Sequence, residues 1–277
     1  MSAVIISPAE LAAAIQADET IVVLDVRWRL DKPDGRDDHA AGHIPGAVYV
    51  DLDHELAEHG EPTDGRHPLP STESLQAAAR RWGISEGDAV VVVDDLNGMS
   101  AARAWWLLRA AGLTDVRILD GGLRAWRAAD LPIEEGEVVP VAGNVVLSSG
   151  ALAVIDIDGA AALPETGLLI DARAGERYRG EVEPIDPRAG HIPGAVNRPT
   201  GANLVSGAGF KPAAELRTDF ESLGVRDGVP VAVYCGSGVT AAHQIAALAI
   251  AGFDAALYPG SWSQWSNHPD RPLASGP

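Results

Sequence analysis

At 277 residues and 46% hydrophobic composition, the chain is longer than one ordinary domain and can bury two cores of roughly 130 to 140 residues each. Its 39 acidic against 21 basic residues leave a net charge of −18, which repels phosphate backbones and anionic bilayers, so neither nucleic acid nor a membrane is an expected partner. A single cysteine cannot close an internal disulfide, and no CxxC pair or clustered Cys/His set offers a structural metal site; a reducing cytoplasm is the expected setting.

In chain order, the start lacks a basic region followed by a sustained apolar stretch, so no secretion signal is expected. Ser7-Pro8-Ala9-Glu10 has the form of a capping box with proline at the first helical position, and predicts a helix over Pro8–Gln16. Ile21 to Val26 reads as a strand, Ser71 to Trp82 as a helix, Ala89 to Asp94 as a strand, and Ala101 to Ala110 as a helix ended by Gly112. The acidic stretch from Ile133 to Gly143, with its glycines and prolines, reads as a linker. Val231 to Cys235 is a further short buried strand, and the alanine-rich run from Thr240 to Leu248 a helix. This βα alternation predicts an α/β protein with parallel sheets flanked by helices.

The chain also repeats itself. Leu24-Asp25-Val26-Arg27 followed by Ala41-Gly42-His43-Ile44-Pro45-Gly46-Ala47-Val48 returns as Ile170-Asp171-Ala172-Arg173 followed by Ala189-Gly190-His191-Ile192-Pro193-Gly194-Ala195-Val196. Gly121-Gly122-Leu123 is answered by Gly260-Ser261-Trp262. Order and spacing persist, which is duplication of a domain. Two domains are therefore predicted, 1–135 and 148–277, joined by 136–147.

Cys235 ends the apolar run and opens the turn Gly236-Ser237-Gly238-Val239-Thr240. Backbone N–H groups in such a turn, together with the positive end of the helix dipole, favour thiolate over thiol, and the carboxyl end of a parallel strand is where ligands collect. Counting from the apolar run, the first half sets Asp95 against this cysteine, and an aspartate cannot accept sulfur.

The two LDxR-type and GHIPGA segments, the CGSGVT turn and the closing GSWSQW together resemble the tandem rhodanese family of sulfurtransferases over nearly the whole chain. The resemblance implies two rhodanese-like domains, a catalytic second and a non-catalytic first, and no cofactor. A CGSGVT loop is similar to that of 3-mercaptopyruvate sulfurtransferases, whereas CRxGVT loops typify thiosulfate enzymes. Cys235 is then the nucleophile that carries a persulfide, with pyruvate released. With no second cysteine, the acceptor must be external, a thiol such as thioredoxin or glutathione, or cyanide. Backbone groups of Gly236, Gly238, Val239 and Thr240 would hold the anionic sulfur and the substrate.

Further roles come from the same resemblance. Ser237 offers a neutral hydroxyl where the thiosulfate loop has a cation, and in the mercaptopyruvate family it is associated with a histidine and an aspartate that correspond to His67 and Asp53. A Ser–His–Asp relay would pass a proton, with the aspartate fixing the imidazole tautomer. Arg177 matches the family's substrate-binding arginine, a bidentate partner for a carboxylate. The second family arginine falls where the pattern departs, and Arg188 is the substitute at hand.

Other features are read as structural. His43 and His191 occur in both halves, only one of which has a cysteine, and are expected to build the GHIPGA turn. Trp105, Trp106, Trp126, Trp262 and Trp265 are expected to pack cores, with Trp262 near the pocket. Three rivals stand beside the main reading. A thiosulfate:cyanide sulfurtransferase differs only in donor, and a non-enzymatic persulfide carrier would need a docking surface. A cysteine phosphatase would need an arginine after five residues, where this chain has Ala241.

Overall fold

A computed structural model describes residues 3–17, 19–205 and 209–277 of the chain. Parallel strands make two sheets. The first runs in the order β1-β5-β4-β2-β3, with β1 Ile5–Ile6, β2 Ile21–Asp25, β3 Val48–Tyr49, β4 Ala89–Val93 and β5 Val116–Leu119. The second runs β7-β6-β8-β9, with β6 Leu168–Asp171, β7 Val196–Asn197, β8 Val231–Tyr234 and β9 Ala256–Leu257. Valine-rich β4 is buried along nearly its whole length, as a strand covered on both faces by helices must be.

The helices start where the sequence directs them. Pro8–Gln16 is opened by Ser7, whose Oγ accepts the Glu10 N–H while the Glu10 carboxylate accepts the Ser7 N–H. Ser71 caps Thr72–Arg81, and Ala101–Ala110 stops before Gly112, whose φ of 98° places it in the left-handed region.

The chain divides into two compact units that do not follow one cut. The first takes Met1–Glu58, Pro70–Leu152 and Ser206–Phe210; the second takes His59–Leu69, Ala153–Val205 and Lys211–Pro277. The acidic stretch after Ile133 runs along the first unit. The Gly143 N–H donates to Arg80 O, Val145 N–H to Ile84 O and Ser148 N–H to Ala111 O, and Val145 and Leu147 are buried. Each unit has its own core: Leu11, Val91, Leu119, Leu123 and Trp126 in one, Leu169, Tyr234, Tyr258, Trp262 and Trp265 in the other. Each large apolar side chain so buried stabilises by about 1.5–3 kcal/mol.

The repeated histidines do the same work in both units. His43 Nδ1 donates to His39 O at 2.8 Å and stacks on the His39 ring at 4.0 Å; His191 Nδ1 donates to Tyr178 O at 2.8 Å and stacks on the Tyr178 ring at 3.7 Å. Arg27 Nη2 reaches Gly42 O and Arg173 Nη2 reaches Gly190 O, each arginine held by the aspartate two residues before it. Trp262 is fully buried, with Arg173 lying 4.6 Å from its ring centroid and its indole donating to Arg188 O. It belongs to the core of the second unit.

Candidate active site

Strand register fixes which residue of the first unit answers Cys235. Asp25 pairs with Val93 and Asp171 with Tyr234, so Asp94 is the counterpart. The carbonyls agree, since Leu123 N–H donates to Asp94 O and Trp262 N–H to Cys235 O. This corrects the assignment of Asp95, whose carboxylate instead accepts Arg29 Nη1 at 3.1 Å.

The two turns are built differently. Asp94 fills its own turn: Oδ1 accepts the N–H groups of Leu96 and Gly98, and Oδ2 those of Ser100 and Ala101, at 2.8 to 3.0 Å. In the second unit the sulfur takes that place. Gly238 adopts a φ of 79° at the start of helix Val239–Ile250, and its N–H donates to Cys235 Sγ at 3.2 Å. Cys235 is buried, at 2% exposure, an environment shared by inert and reactive thiols. Its surroundings distinguish it.

Residues 258–263 anchor the loop from below. Cys235 N–H donates to Ser261 Oγ at 3.1 Å, Ser261 Oγ donates to Tyr258 O, and Ser263 N–H donates to Gly236 O at 2.8 Å. Ser261 sits at φ 54°, where the first unit has Gly122 at φ 60°. A serine holding a glycine conformation is strained, and its hydroxyl is what fixes the cysteine's main chain. Comparison of the two GG/GS turns could have found it.

Residues 59–69 bring two side chains to this loop within the second unit. His67 Nδ1 lies 2.8 Å from Ser237 Oγ, and both residues are buried. A Cβ added to Gly236 would lie 3.2 Å from Arg66 Nη2 and 3.5 Å from Arg177 Nη1. Arg177 Nη2 donates to Glu183 Oε1 at 2.6 Å and to Asp186 Oδ2 at 3.3 Å, while Arg66 Nη1 donates to Asp186 Oδ1. Burial pushes the Asp186 carboxyl up, and the neighbouring arginines oppose that rise. A cavity of about 460 Å³ adjoins this pair, lined by Arg66, Asp186, Ile185 and Asn267 among others.

One expected residue stands elsewhere. Arg188 has its guanidinium enclosed by main-chain carbonyls: Nε donates to Ser266 O, Nη1 to Arg271 O, and Nη2 to Trp265 O and His268 O. It pins the C-terminal loop, and the second guanidinium beside Gly236 is that of Arg66. Asp53 lies in the first unit, where the Trp28 indole donates to its Oδ1 at 2.9 Å. Val239 and Thr240 form the first turn of the helix after the cysteine, Val239 buried and Thr240 half-buried. Among the described residues, no helix is long and apolar enough to cross a membrane.

Comparison with known proteins places this arrangement. The rhodanese-like domain matches twice, over residues 7–129 and 156–268, and the chain belongs to that family as a tandem-domain enzyme of the sulfurtransferase class. A Mycobacterium tuberculosis protein provisionally named thiosulfate sulfurtransferase SseB is 51% identical, covering 99% of this chain and 97% of its own. The Escherichia coli 3-mercaptopyruvate sulfurtransferase is 38% identical over 92% of both chains. The crystal structure of SseA from Escherichia coli, described as a 3-mercaptopyruvate sulfotransferase, superposes with a TM-score of 0.83 at 36% identity, covering 94% of this chain and 99% of that one.

Proposed function

We propose that the enzyme moves sulfur from 3-mercaptopyruvate, carried as the sulfane sulfur of a persulfide on Cys235, to an external thiol such as thioredoxin or glutathione, or to cyanide. The Cys235 thiolate attacks the donor's sulfur and forms the S–S bond. The carbon–sulfur bond breaks with its electron pair going to carbon, and the pyruvate enolate so formed takes a proton to become pyruvate. The acceptor thiolate then attacks the outer sulfur, and Cys235 leaves as thiolate. Because the chain has no other cysteine, the acceptor comes from outside.

The observation that carries this reading is the Gly238 N–H aimed at Cys235 Sγ, at the head of a twelve-residue helix, with a hydroxyl–imidazole pair and two guanidiniums at the neighbouring loop residues. An N–H donor and a helix N-terminus stabilise negative sulfur in both thiolate and persulfide. Ser237, paired with His67, supplies a hydrogen bond to the enolate oxygen or the proton for its carbon. Arg177 binds the donor's carboxylate, and the Gly236–Thr240 main chain cradles the sulfur. The pairing of Ser237 with His67 favours a donor that presents an uncharged carbonyl oxygen beside its carboxylate.

A second reading is favoured by one finding, the thiosulfate name of the relative at 51% identity. Measuring kcat/KM for both donors with one acceptor separates the two; mercaptopyruvate is expected to win, and equal turnover removes the donor assignment. Cys235→Ser is expected to abolish transfer and persulfide labelling while circular dichroism stays unchanged. Transfer retained by that variant refutes the nucleophile.

A further inference from the structure

We propose that Arg188 is a positioning residue of the sulfur site: by clamping the C-terminal end of the helix Ser261–Ser266, it holds the cysteine loop and the segment 59–69 in register with each other. The inference rests on the reading of Cys235 as nucleophile given above, and adds to it what keeps the nucleophile and its neighbours aligned.

Helix Ser261–Ser266 is six residues long, too short to hold its own shape in water. Its first turn is spent on the cysteine loop. Trp262 N–H donates to Cys235 O at 2.9 Å, Ser263 N–H donates to Gly236 O at 2.8 Å, and Ser261 Oγ accepts the Cys235 N–H at 3.1 Å. Amides that a helix leaves unpaired at its start are thus paired with the main chain that carries the sulfur.

The other end of the helix needs donors for its last carbonyls. Arg188 supplies them, with Nε donating to Ser266 O at 2.9 Å and Nη2 to Trp265 O at 2.8 Å. A guanidinium there also meets the negative end of the helix dipole. The same group reaches His268 O at 2.6 Å, Arg271 O at 2.9 Å and Pro269 O at 3.4 Å. Five bonds to main-chain carbonyls match the five N–H groups of an arginine, which leaves none for a substrate carboxylate. The Arg188 carbonyl in turn accepts the Trp262 indole N–H at 2.9 Å, so main chain and side chain grip one helix.

The loop after the helix carries a second arm. His268 Nε2 donates to Thr63 O at 3.1 Å, and Ser263 Oγ accepts the Arg66 N–H at 3.1 Å. These bonds fix the segment from which His67 comes within 2.8 Å of Ser237 Oγ. One guanidinium therefore stands behind both members of the hydroxyl–imidazole pair and behind the main chain of Cys235.

Steady-state kinetics of Arg188→Ala, measured well below its Tm, tests this. With mercaptopyruvate, kcat is expected to fall roughly 10- to 100-fold, the scale of a misplacement of about 1 Å, with KM within about threefold. Guanidinium chloride far below denaturing concentrations should restore kcat saturably by refilling the vacated place, and urea at the same concentration should not. A residue serving stability alone would lower Tm and leave kcat unchanged, and one binding the donor would raise KM with kcat kept. Either result overturns the proposal, as does a loss of kcat that guanidinium fails to restore. Should the alanine variant not fold, Arg188→Lys, with three donors at most, carries the test. It is expected to lower kcat about 3- to 10-fold and to speed amide hydrogen exchange at Trp262 and Ser263, and either one unchanged overturns the clamp. Should Cys235→Ser retain transfer, the nucleophile falls separately, while amide exchange at Trp262 and Ser263 still reports on Arg188.

Discussion

A hydroxyl 2.8 Å from an imidazole nitrogen, two residues beyond a cysteine, is the side-chain pair on which proton handling would depend. Ser237→Ala is therefore expected to lower kcat with mercaptopyruvate by roughly 10- to 1,000-fold, the range of lost acid–base assistance, with a smaller change in KM. An unaltered rate would take the hydroxyl out of the mechanism. Cys235, Ser237, His67 and Arg177 were legible as residues because each sits in a recognisable stretch. Arg66 was not, since an arginine before a histidine in a loop carries no mark of what it will face. Its partner Asp186 reads in the sequence as one more acid in a proline-rich loop. Arg188 shows the converse: a cation in the expected stretch whose donors are taken by carbonyls that only folding brings together.

At the level of the strand–turn–helix element, the two units solve one problem in two ways. A turn that points several N–H groups inward needs an anion, and the first unit supplies it covalently with Asp94. Four main-chain N–H groups donate to that carboxylate, which suits its ionised form, although burial pushes its pKa up. Asp94→Asn replaces one acceptor oxygen by an NH2 group set against two N–H donors. We expect the first unit to lose about 2–4 kcal/mol, measured by denaturant unfolding followed through tryptophan fluorescence, with Asp94→Glu no full substitute. A loss under about 0.5 kcal/mol would remove the anchoring role. The strands, the helices and their caps were readable from apolar period and capping residues. The one-residue offset between Asp94 and Asp95 was not, because Val90–Val93 carries no sign of register until β2 pairs with it.

Across the whole molecule, duplication was the clearest signal in the chain, and the buried ring stacks show why GHIPGA persists in both units. His39 is the outlying member: its Nε2 donates to Ala47 O at 3.0 Å, and burial, reinforced by repulsion from His43, lowers its pKa to about 4. The folded value lies below that of a free imidazole. Stability supplied by the neutral ring is thus present above about pH 6.5 and is lost as pH falls towards about 4. Thermal unfolding between about pH 7.5 and 5 should show Tm falling with acid, and a His39→Gln variant should show a flatter slope. Parallel slopes would exclude His39 as the source.

What composition could not disclose is the path of residues 59–69, which leave the first half of the sequence to pack in the second unit. Nothing in a loop of Gly, Pro and charged residues records its destination. The consequence concerns how this protein can be dissected or evolve: a gene fragment encoding only the C-terminal repeat would inherit the sulfur-bearing loop yet forfeit Arg66 and His67. The second copy thus borrows an eleven-residue stretch from the sequence of the first, and excising it at the repeat boundary would leave its cysteine loop without those two neighbours.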